Sequence, residues 1–475
     1  HCDASPRLPS PNADAQLAQQ ALSRIISIPN SASSVANKSS VDASFAPNKD
    51  PPPPTEPSTR RSKRKSCEKA FSKKNAKKQR ETQVCYAANP ALVEKHLEAA
   101  EPLQTVYSSG NMPIASTGWI TKRAPPQPKK MSSTFRLDDL VGPDSRFDFD
   151  LQPWSGLCVT SFNNRLRMLT ALLAWVHRPS TPILDDERRV MGVCAGMPRN
   201  DENWNSVQHR AAALLEDARV RLIFGKKEQN GRRGKFPAIN IGISHGGGQP
   251  YPKMLQQASV NIPTLQTLMN DWSFQRISGF ATGAFATWAP RLYAYQNDCL
   301  TDLIEHDRVL RQNNAHPSPE DEPLRRNWPK TPWAAAALNF GPQTICNKHA
   351  DYGNLAFGWC CITALGDYDY RKGGHLVLWD LKRVIEFPPG ATILIPSSAI
   401  YHSNTIIQPD ERRYSFTQYS AGGIFRWRDN GYKTVAQSRS TMAPEEISSL
   451  LSQLSTQLSF GLSLYSSADE IESPR

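Results

Sequence analysis

Long apolar runs and paired cysteine motifs are both missing from this chain of 475 residues. No stretch approaches the ~18 consecutive apolar residues that a membrane-spanning helix needs, so we expect no membrane insertion. The nine cysteines include no C-x-x-C pair and no zinc-finger spacing, which excludes a structural zinc module of that kind. Their odd number and scattered positions instead fit buried free thiols in a reducing compartment.

Apolar residues are also scarce overall, since they make up 39% of the chain and its mean hydropathy is −0.52. The length could hold two or three domains, but much of the proline lies early in the sequence. Residues 1–115 are dominated by Ser, Ala, Asn and Pro and include four consecutive prolines at 51–54. We therefore predict a disordered N-terminal tail over 1–115, followed by a folded body.

The net charge of +12 is concentrated in one segment. Between Arg60 and Arg80 eleven Lys or Arg face a single Glu, which is a local charge of +10 and leaves +2 for everything else. This cluster divides into Arg60–Lys65 and Lys73–Arg80, the form of a two-part nuclear-import signal. A solvated tail and a non-specific nucleic-acid contact are the alternatives. We predict a nuclear protein, with the cytoplasm as the alternative location.

The region 116–330 mixes helix and strand patterns and is predicted to be an α/β support region, with order starting near Trp119. Apolar residues at helical spacing predict helices over 165–176, 202–220 and 283–310, and short apolar runs predict strands over 189–196 and 236–244. Between them lie a basic loop at 225–235 and the segment "HGGGQPYP" at 245–252. The three glycines at 246–248 lack a strand–loop–helix context, so a plain loop is favoured over a phosphate site.

From 331 to 435 short strands alternate with turns rich in Gly, Pro and Asp, which predicts a double-stranded β-helix, a jelly-roll (cupin-like) core, within an α+β protein. The strands are expected at 357–365, 375–380, 383–387, 392–396, 402–407 and 414–420. The last segment, 436–475, contains an amphipathic stripe over 443–458 that opens with Pro444 and two glutamates. It predicts a helix that packs on the body.

Three residues in this strand-rich region have the chemistry of a metal site. His349 and Asp351 are two apart, so in an extended segment their side chains share a face. His402 follows 51 residues after Asp351 at the start of a predicted strand, from which it could supply a third ligand. A His–Asp–His set is a facial triad that leaves open positions on a metal. The alternatives are a simple His349–Asp351 hydrogen bond and a core histidine at 402.

An anion-binding pair is predicted shortly after the third histidine. Arg413 and Ser415 have the same parity in a strand, so a guanidinium and a hydroxyl can together hold a carboxylate. Arg412 has the opposite parity and is expected to face outwards. The order H-x-D, about fifty residues, His, about ten residues, R-x-S is a more specific signal than any of its parts.

The run from His349 to Tyr419 resembles an Fe(II)/2-oxoglutarate dioxygenase. The "GG" at 373–374, "FPPGATILIP" before the distal histidine and "HSN…ERRYSFTQY" all add to this likeness. More narrowly, the run resembles the Tet-like branch (ten-eleven-translocation and base-J proteins) of the kind found in mushroom-forming fungi. The likeness extends weakly upstream to about residue 150 and does not include the first hundred residues.

The resemblance implies a role for each predicted residue. His349, Asp351 and His402 would hold Fe(II), while Arg413 and Ser415 would bind 2-oxoglutarate, which is consumed with O2. Decarboxylation would give succinate, CO2 and a ferryl species that takes a hydrogen atom from a C–H bond.

Two more positions match the DNA-modifying branch, where Asn354 would contact a flipped base and Tyr419 would stack on it. The chain departs from animal Tet enzymes at Ala421, where they carry a histidine, and it lacks their cysteine-rich zinc region.

The predicted activity is therefore oxidation of a methylated base in DNA, 5-methylcytosine or N6-methyladenine. The alternatives are a peptide or prolyl hydroxylase, an oxygenase of small molecules, and an inactive jelly roll that only binds a partner.

Overall fold

The computed structural model describes residues 86, 88–98, 100–112, 134–154, 180–198, 201–229, 231, 233–440 and 442–472. Three predictions lie outside these residues: the import cluster at 60–80, the start of order near Trp119, and the helix at 165–176. Within the described ranges, no helix has both the length and the apolar character to cross a bilayer.

Thirteen strands are present in the described residues and form two sheets. They are β1 (Leu103–Gln104), β2 (Asp150–Gln152), β3 (Thr181–Leu184), β4 (Val190–Gly196), β5 (Ala238–Ser244), β6 (Lys253–Met254), β7 (Ala335–Asn339), β8 (Cys360–Asp367), β9 (Leu376–Leu378), β10 (Arg383–Ile385), β11 (Thr392–Ile395), β12 (His402–Asn404) and β13 (Arg412–Tyr419). Each strand predicted from the sequence overlaps one of them.

The larger sheet has the order β1-β3-β4-β11-β8-β13-β7-β5-β6, and the smaller sheet has the order β12-β9-β10-β2. Most neighbours are antiparallel, as expected for strands joined by short turns. Strands from before residue 331 pair directly with later ones, as β4 does with β11 and β5 with β7. The predicted support region and the strand-rich core therefore share one continuous sheet.

The helices cover one face of the larger sheet and its edges. Their bounds are Pro90–Glu98, Trp204–Arg221, Lys226–Gln229, Ile262–Asn270, Trp272–Trp288, Pro290–Gln312, Gly422–Asp429, Val435–Ser440, Pro444–Ser455, Gln457–Ser463 and Ala468–Glu472, with 3-10 turns at Ser109–Asn111, Ser259–Asn261 and Trp379–Leu381. The architecture of the described residues is thus a mixed α+β fold with two sheets.

Strand β13 shows how alternation separates the two faces of the larger sheet. Tyr414 and Phe416 pack into the apolar cluster formed with the helices Trp204–Arg221 and Trp272–Trp288. Arg413 and Ser415 have the other parity and are also buried, with exposures of 1% and 4%. They therefore point away from the helices, towards the side on which the smaller sheet lies.

The helix predicted over 283–310 is corrected by the structure. A first helix, Trp272–Trp288, ends just before Ala289, and a second helix runs over Pro290–Gln312. Proline has no N–H and its ring clashes with the carbonyl four residues earlier, so Pro290 begins a helix instead of continuing one.

The predicted tail is also too long at its C-terminal end. Residues Pro90–Glu98 form a helix, and β1 pairs in parallel with β3. The backbone N–H of Tyr86 donates to the Tyr293 hydroxyl at 2.8 Å. Proline and polar residues dominate the composition of 1–115 as a whole, and this average hid the apolar residues after 85.

The C-terminal amphipathic segment forms two consecutive helices, Pro444–Ser455 and Gln457–Ser463. Leu458 packs against the main core and Leu462 is buried in it, in agreement with the prediction of a helix that packs on the body. The glycines at 246–248 lie in a loop between β5 and β6, and all three have positive φ. The favoured interpretation of a plain loop agrees with this conformation.

Candidate metal centre

His349 and His402 lie opposite each other in a single antiparallel bridge. The N–H of each donates to the carbonyl of the other, at 3.0 Å from His349 and 2.8 Å from His402. Their ring centroids are 4.2 Å apart. The two histidines are 53 positions apart in the sequence, so the backbone pairing is what brings their side chains to one place.

Asp351 completes the group. Its backbone N–H donates to the carbonyl of Ser397 at 2.9 Å, which holds the segment after the bridge. One carboxylate oxygen lies 3.8 Å from Nε2 of His349 and the other 3.9 Å from Nε2 of His402. Both spacings are below ~4.4 Å, twice a typical metal–ligand distance of ~2.2 Å, so one ion can contact the carboxylate and both imidazoles. All three ligand atoms lie within 4.8 Å of one another.

Backbone carbonyls orient both imidazoles for metal binding. Nδ1 of His349 is 2.7 Å from the carbonyl of Asn347, and Nδ1 of His402 is 3.0 Å from that of Ile400. A carbonyl only accepts, so Nδ1 carries the proton and the lone pair of Nε2 faces the centre. Burial and the neighbouring His402 lower the pKa of His349 to about 3, so its ring is neutral at physiological pH.

Sequence analysis missed Arg233, which lies beside this group. Burial acts to lower the pKa of its guanidinium, but the charge of Asp351 acts in the opposite direction and the pKa is raised. The loop is held in place because the carbonyl of Arg233 accepts from the N–H of Asn347 at 2.7 Å. A Cβ on Gly234 would lie 2.5 Å from the carbonyl of Ile345, so this close approach requires glycine. The predicted basic loop at 225–235 contained no signal for this destination.

Arg413 forms the second part of the site. Its side chain is fully buried, and its Nη1 donates to the carbonyl of Thr344 at 2.7 Å. Its Nε is buried without a hydrogen-bond partner, and no ion pair within the described part of the chain includes it. A buried cation without a counter-ion is costly, so this position is suited to an anionic ligand.

Ser415 lies two residues further along the same face. Its oxygen accepts from the Nδ2 of Asn339 at 2.9 Å, and the two residues are register partners on β13 and β7. The hydroxyl proton of Ser415 is therefore left to donate. Unpartnered buried oxygens of Thr344 and Asn339 occur next to these groups. The predicted pair of guanidinium and hydroxyl is thus present with the chemistry of a carboxylate site.

His375 is a further residue that sequence analysis did not single out. It directly follows Gly374, where a Cβ would lie 3.2 Å from Cδ of Arg413. Its Nδ1 is 2.8 Å from the hydroxyl of Thr405, and its Nε2 is buried without a partner among the described residues. Burial lowers the pKa of His375 to about 4, so a neutral imidazole adjoins the guanidinium. The preceding glycines were noted in the sequence, and they were the available signal.

The "GG" at 373–374 has a steric cause. A Cβ on Gly373 would lie 2.2 Å from the carbonyl of Ile406, and Gly374 has φ +74° with Tyr368 at 2.6 Å. Neither position can hold a larger residue without displacing its neighbours. The pair lets the smaller sheet approach Arg413 closely.

Asn354 and Tyr419, the predicted substrate residues, both border the metal group. The N–H of Asn354 donates to the carbonyl of Asp351 at 2.9 Å, and Asn354 forms an antiparallel bridge with Ala421. The Tyr419 hydroxyl donates to Oδ1 of Asn240 at 3.1 Å. Burial raises the pKa of Tyr419 to about 12, and the charges of Arg233 and Asp351 both act on it. Their roles in binding a substrate stay predictions.

No family model matches the chain, and no curated protein matches it. Three solved structures are similar to it at low level. NgTET1 in complex with 5mC DNA has 13% identity over 58% of this chain and 84% of that one, with a TM-score of 0.35. A 2OG-Fe(II) oxygenase-family oxidoreductase from Burkholderia pseudomallei has 15% identity over 47% and 93%, with a TM-score of 0.25. OsALKBH1 has 11% identity over 44% and 91%, with a TM-score of 0.23. Likenesses with such low TM-scores carry no argument about the activity of this chain.

Proposed function

We propose that the chain is an Fe(II)/2-oxoglutarate-dependent dioxygenase whose two sheets form a double-stranded β-helix. One observation carries this proposal: the His349–Asp351–His402 group occurs in the same core as a buried Arg413 that lacks a counter-ion. A metal triad alone fits many enzymes, and a buried arginine alone fits many anion sites. Together they are what an enzyme needs to hold a metal and a dicarboxylate in one cavity.

The residues present fit the two groups that the proposal requires. His349, Asp351 and His402 would occupy three positions of Fe(II) and leave the others for 2-oxoglutarate and O2. With these groups bound, 2-oxoglutarate is converted to succinate and CO2 while one oxygen atom enters a C–H bond of the substrate. The chain itself binds, orients and excludes water.

The distal carboxylate of 2-oxoglutarate would be held by Arg413 and by the free hydroxyl proton of Ser415. His375 adjoins the same guanidinium with an unpartnered nitrogen and can add a third contact. Arg233 places a positive charge beside Asp351, which favours an anionic group near the metal. Tyr368 and Phe387 bring their rings within 5.9 Å of the Arg413 guanidinium carbon and help to exclude water.

For the substrate we propose a methylated nucleobase in DNA, 5-methylcytosine or N6-methyladenine, as in the Tet-like branch. A base inside a duplex must be extruded at a cost of a few kcal/mol, and an aromatic ring can replace part of the lost stacking. The aromatic ring of Tyr419 and the amide of Asn354 lie next to the metal group and have these two kinds of chemistry. The import cluster at Arg60–Arg80 supports a nuclear location for such an enzyme.

Two measurements test the proposal. Purified protein should release succinate from 2-oxoglutarate only with Fe(II) and O2, and His349→Ala or Asp351→Ala should abolish the release. Mass spectrometry of nucleosides after incubation with methylated duplex DNA should then detect an oxidised base. Turnover that survives in both variants would refute the metal assignment. Succinate release without base oxidation would favour a peptide or small-molecule substrate, and binding without any turnover would favour an inactive jelly roll.

A further inference from the structure

The segment between β11 and β12 lies directly against the turn that carries Asp351 and Asn354. The Ser397 carbonyl accepts from the N–H of Asp351 at 2.9 Å. The hydroxyl of Ser398 donates to the carbonyl of Asn354 at 3.2 Å. Both serines are buried, with exposures of 1% and 0%. Their side chains are thus held inside the protein, where a hydroxyl needs a defined partner.

The side chain of Ser397 belongs to a chain of hydrogen bonds that starts at Asn354. Nδ2 of Asn354 donates to Oγ of Ser397 at 3.2 Å, and the Ser397 hydroxyl also bonds the thiol of Cys360. That thiol in turn donates to the carbonyl of Cys361 at 4.0 Å. The chain therefore runs from an amide, through a hydroxyl and a thiol, to a backbone carbonyl.

The last acceptor gives this chain a single direction. A carbonyl oxygen cannot donate, so the Cys360 thiol must donate to Cys361 and its sulfur is left to accept. The Ser397 hydroxyl then donates to that sulfur, and its oxygen accepts from Asn354. The amide of Asn354 can satisfy this only with its nitrogen towards Ser397. Its carbonyl oxygen consequently lies on the opposite side of the amide plane.

We infer that Ser397 is a positioning residue that orients the amide of Asn354 so that its oxygen, a hydrogen-bond acceptor, is offered to an N–H donor of the substrate. This inference rests on the proposed function, in which Asn354 reads the base. It also specifies the chemistry of recognition, since the site would select bases that present an N–H group. Cytosine and adenine derivatives do so through an exocyclic amino group that retains a hydrogen.

Kinetics of base oxidation in Ser397→Ala test the inference. Loss of one orienting hydrogen bond of ordinary strength should lower kcat/KM for the methylated base by about fivefold to tenfold. The conversion of 2-oxoglutarate without base should not change, because the backbone carbonyl that holds Asp351 is retained. Ser398→Ala is the matched control, since its hydroxyl contacts only the backbone of Asn354. It should leave kcat/KM for the base within about twofold.

A double-mutant cycle separates orientation from a merely structural effect. In an Asn354→Ala background, Ser397→Ala should cause no further loss, because the residue it orients is absent. Asn354→Asp keeps an acceptor oxygen and should retain more activity than Asn354→Leu, which has a similar volume and no acceptor. Cys360→Ala removes the thiol acceptor and should produce a smaller loss in the same direction, which gives a second variant if Ser397→Ala folds poorly.

Each outcome decides for or against the inference. Unchanged base oxidation in Ser397→Ala, or an equal loss in the Asn354→Ala background, overturns it. Equal activities of Asn354→Asp and Asn354→Leu overturn the acceptor role. If the unmodified protein releases succinate but oxidises no base, the proposed substrate and this inference both fail. If it releases no succinate at all, the proposed oxygenase activity fails first.

Discussion

Replacing Arg413 by methionine should affect stability and ligand binding in opposite directions. The guanidinium is fully buried and its Nε has no partner among the described residues, so without a bound anion it is an uncompensated charge. An apolar side chain of similar length removes this charge, which is neutral or stabilising by ~1–4 kcal/mol in comparable cases. The carbonyl of Thr344 loses one hydrogen bond, worth ~1 kcal/mol. We therefore expect the free energy of unfolding without ligand to change by between about 0 and +3 kcal/mol.

Binding of 2-oxoglutarate should respond very differently. Removing one partner of a buried, hydrogen-bonded charge pair costs ~2–5 kcal/mol, which corresponds to a loss of affinity of about 30-fold to several thousand-fold. The assay is denaturant unfolding with Mn(II) in place of Fe(II), with and without 2-oxoglutarate. At a concentration of 100 Kd the ligand should stabilise the unmodified protein by ~2.7 kcal/mol and should leave Arg413→Met almost unchanged.

Two controls make the outcome specific. Arg412→Met changes the exposed neighbour of opposite parity and should preserve the stabilisation by ligand. Ser415→Ala removes only the hydroxyl donor and should lower affinity by about tenfold. A variant Arg413→Met that binds 2-oxoglutarate normally, or that is several kcal/mol less stable without it, would refute the assignment of Arg413 as a ligand-binding cation.

Three further outcomes follow from particular contacts. Tyr419→Ala should lower base oxidation by about 5-fold to 150-fold, the value of ~1–3 kcal/mol for one stacked base, while Tyr419→Phe should retain most of it; equal rates in the two variants, measured by nucleoside mass spectrometry, would contradict a stacking role. The pKa of His375 is lowered to about 4 in the folded state against ~6.5 unfolded, so on acidification the unfolded state binds the proton first and stability is lost from pH 6.5 down to 4. His375→Phe should remove that loss, up to ~3 kcal/mol, in urea titrations at pH 7 and pH 4.5, and an unchanged pH dependence would refute it. Gly374→Ala should destabilise the protein by ~1–3 kcal/mol and weaken 2-oxoglutarate binding, because φ is +74° and the new Cβ would meet Tyr368 and Arg413; normal binding in calorimetry would exclude the contact.

The sequence by itself determined those features that depend on short-range periodicity. Alternation in the last strand placed Arg413 and Ser415 on one face, and the structure puts Tyr414 and Phe416 on the other, against the helices. The two-residue spacing of His349 and Asp351 likewise follows from local extended backbone. These predictions needed only the direction of successive side chains in a strand, which the chain geometry imposes wherever a strand forms.

Other features depended on the path of the whole chain. Arg233 reaches Asp351, 118 positions later in the sequence, because its loop hydrogen-bonds to the segment before His349. His375 reaches Arg413 because two glycines let the smaller sheet approach. The direction of the Asn354 amide depends on Cys360 and Cys361, which belong to a different strand. Each of these contacts joins residues that are far apart or whose spacing follows no period, so only the packing of the two sheets and their loops could decide them.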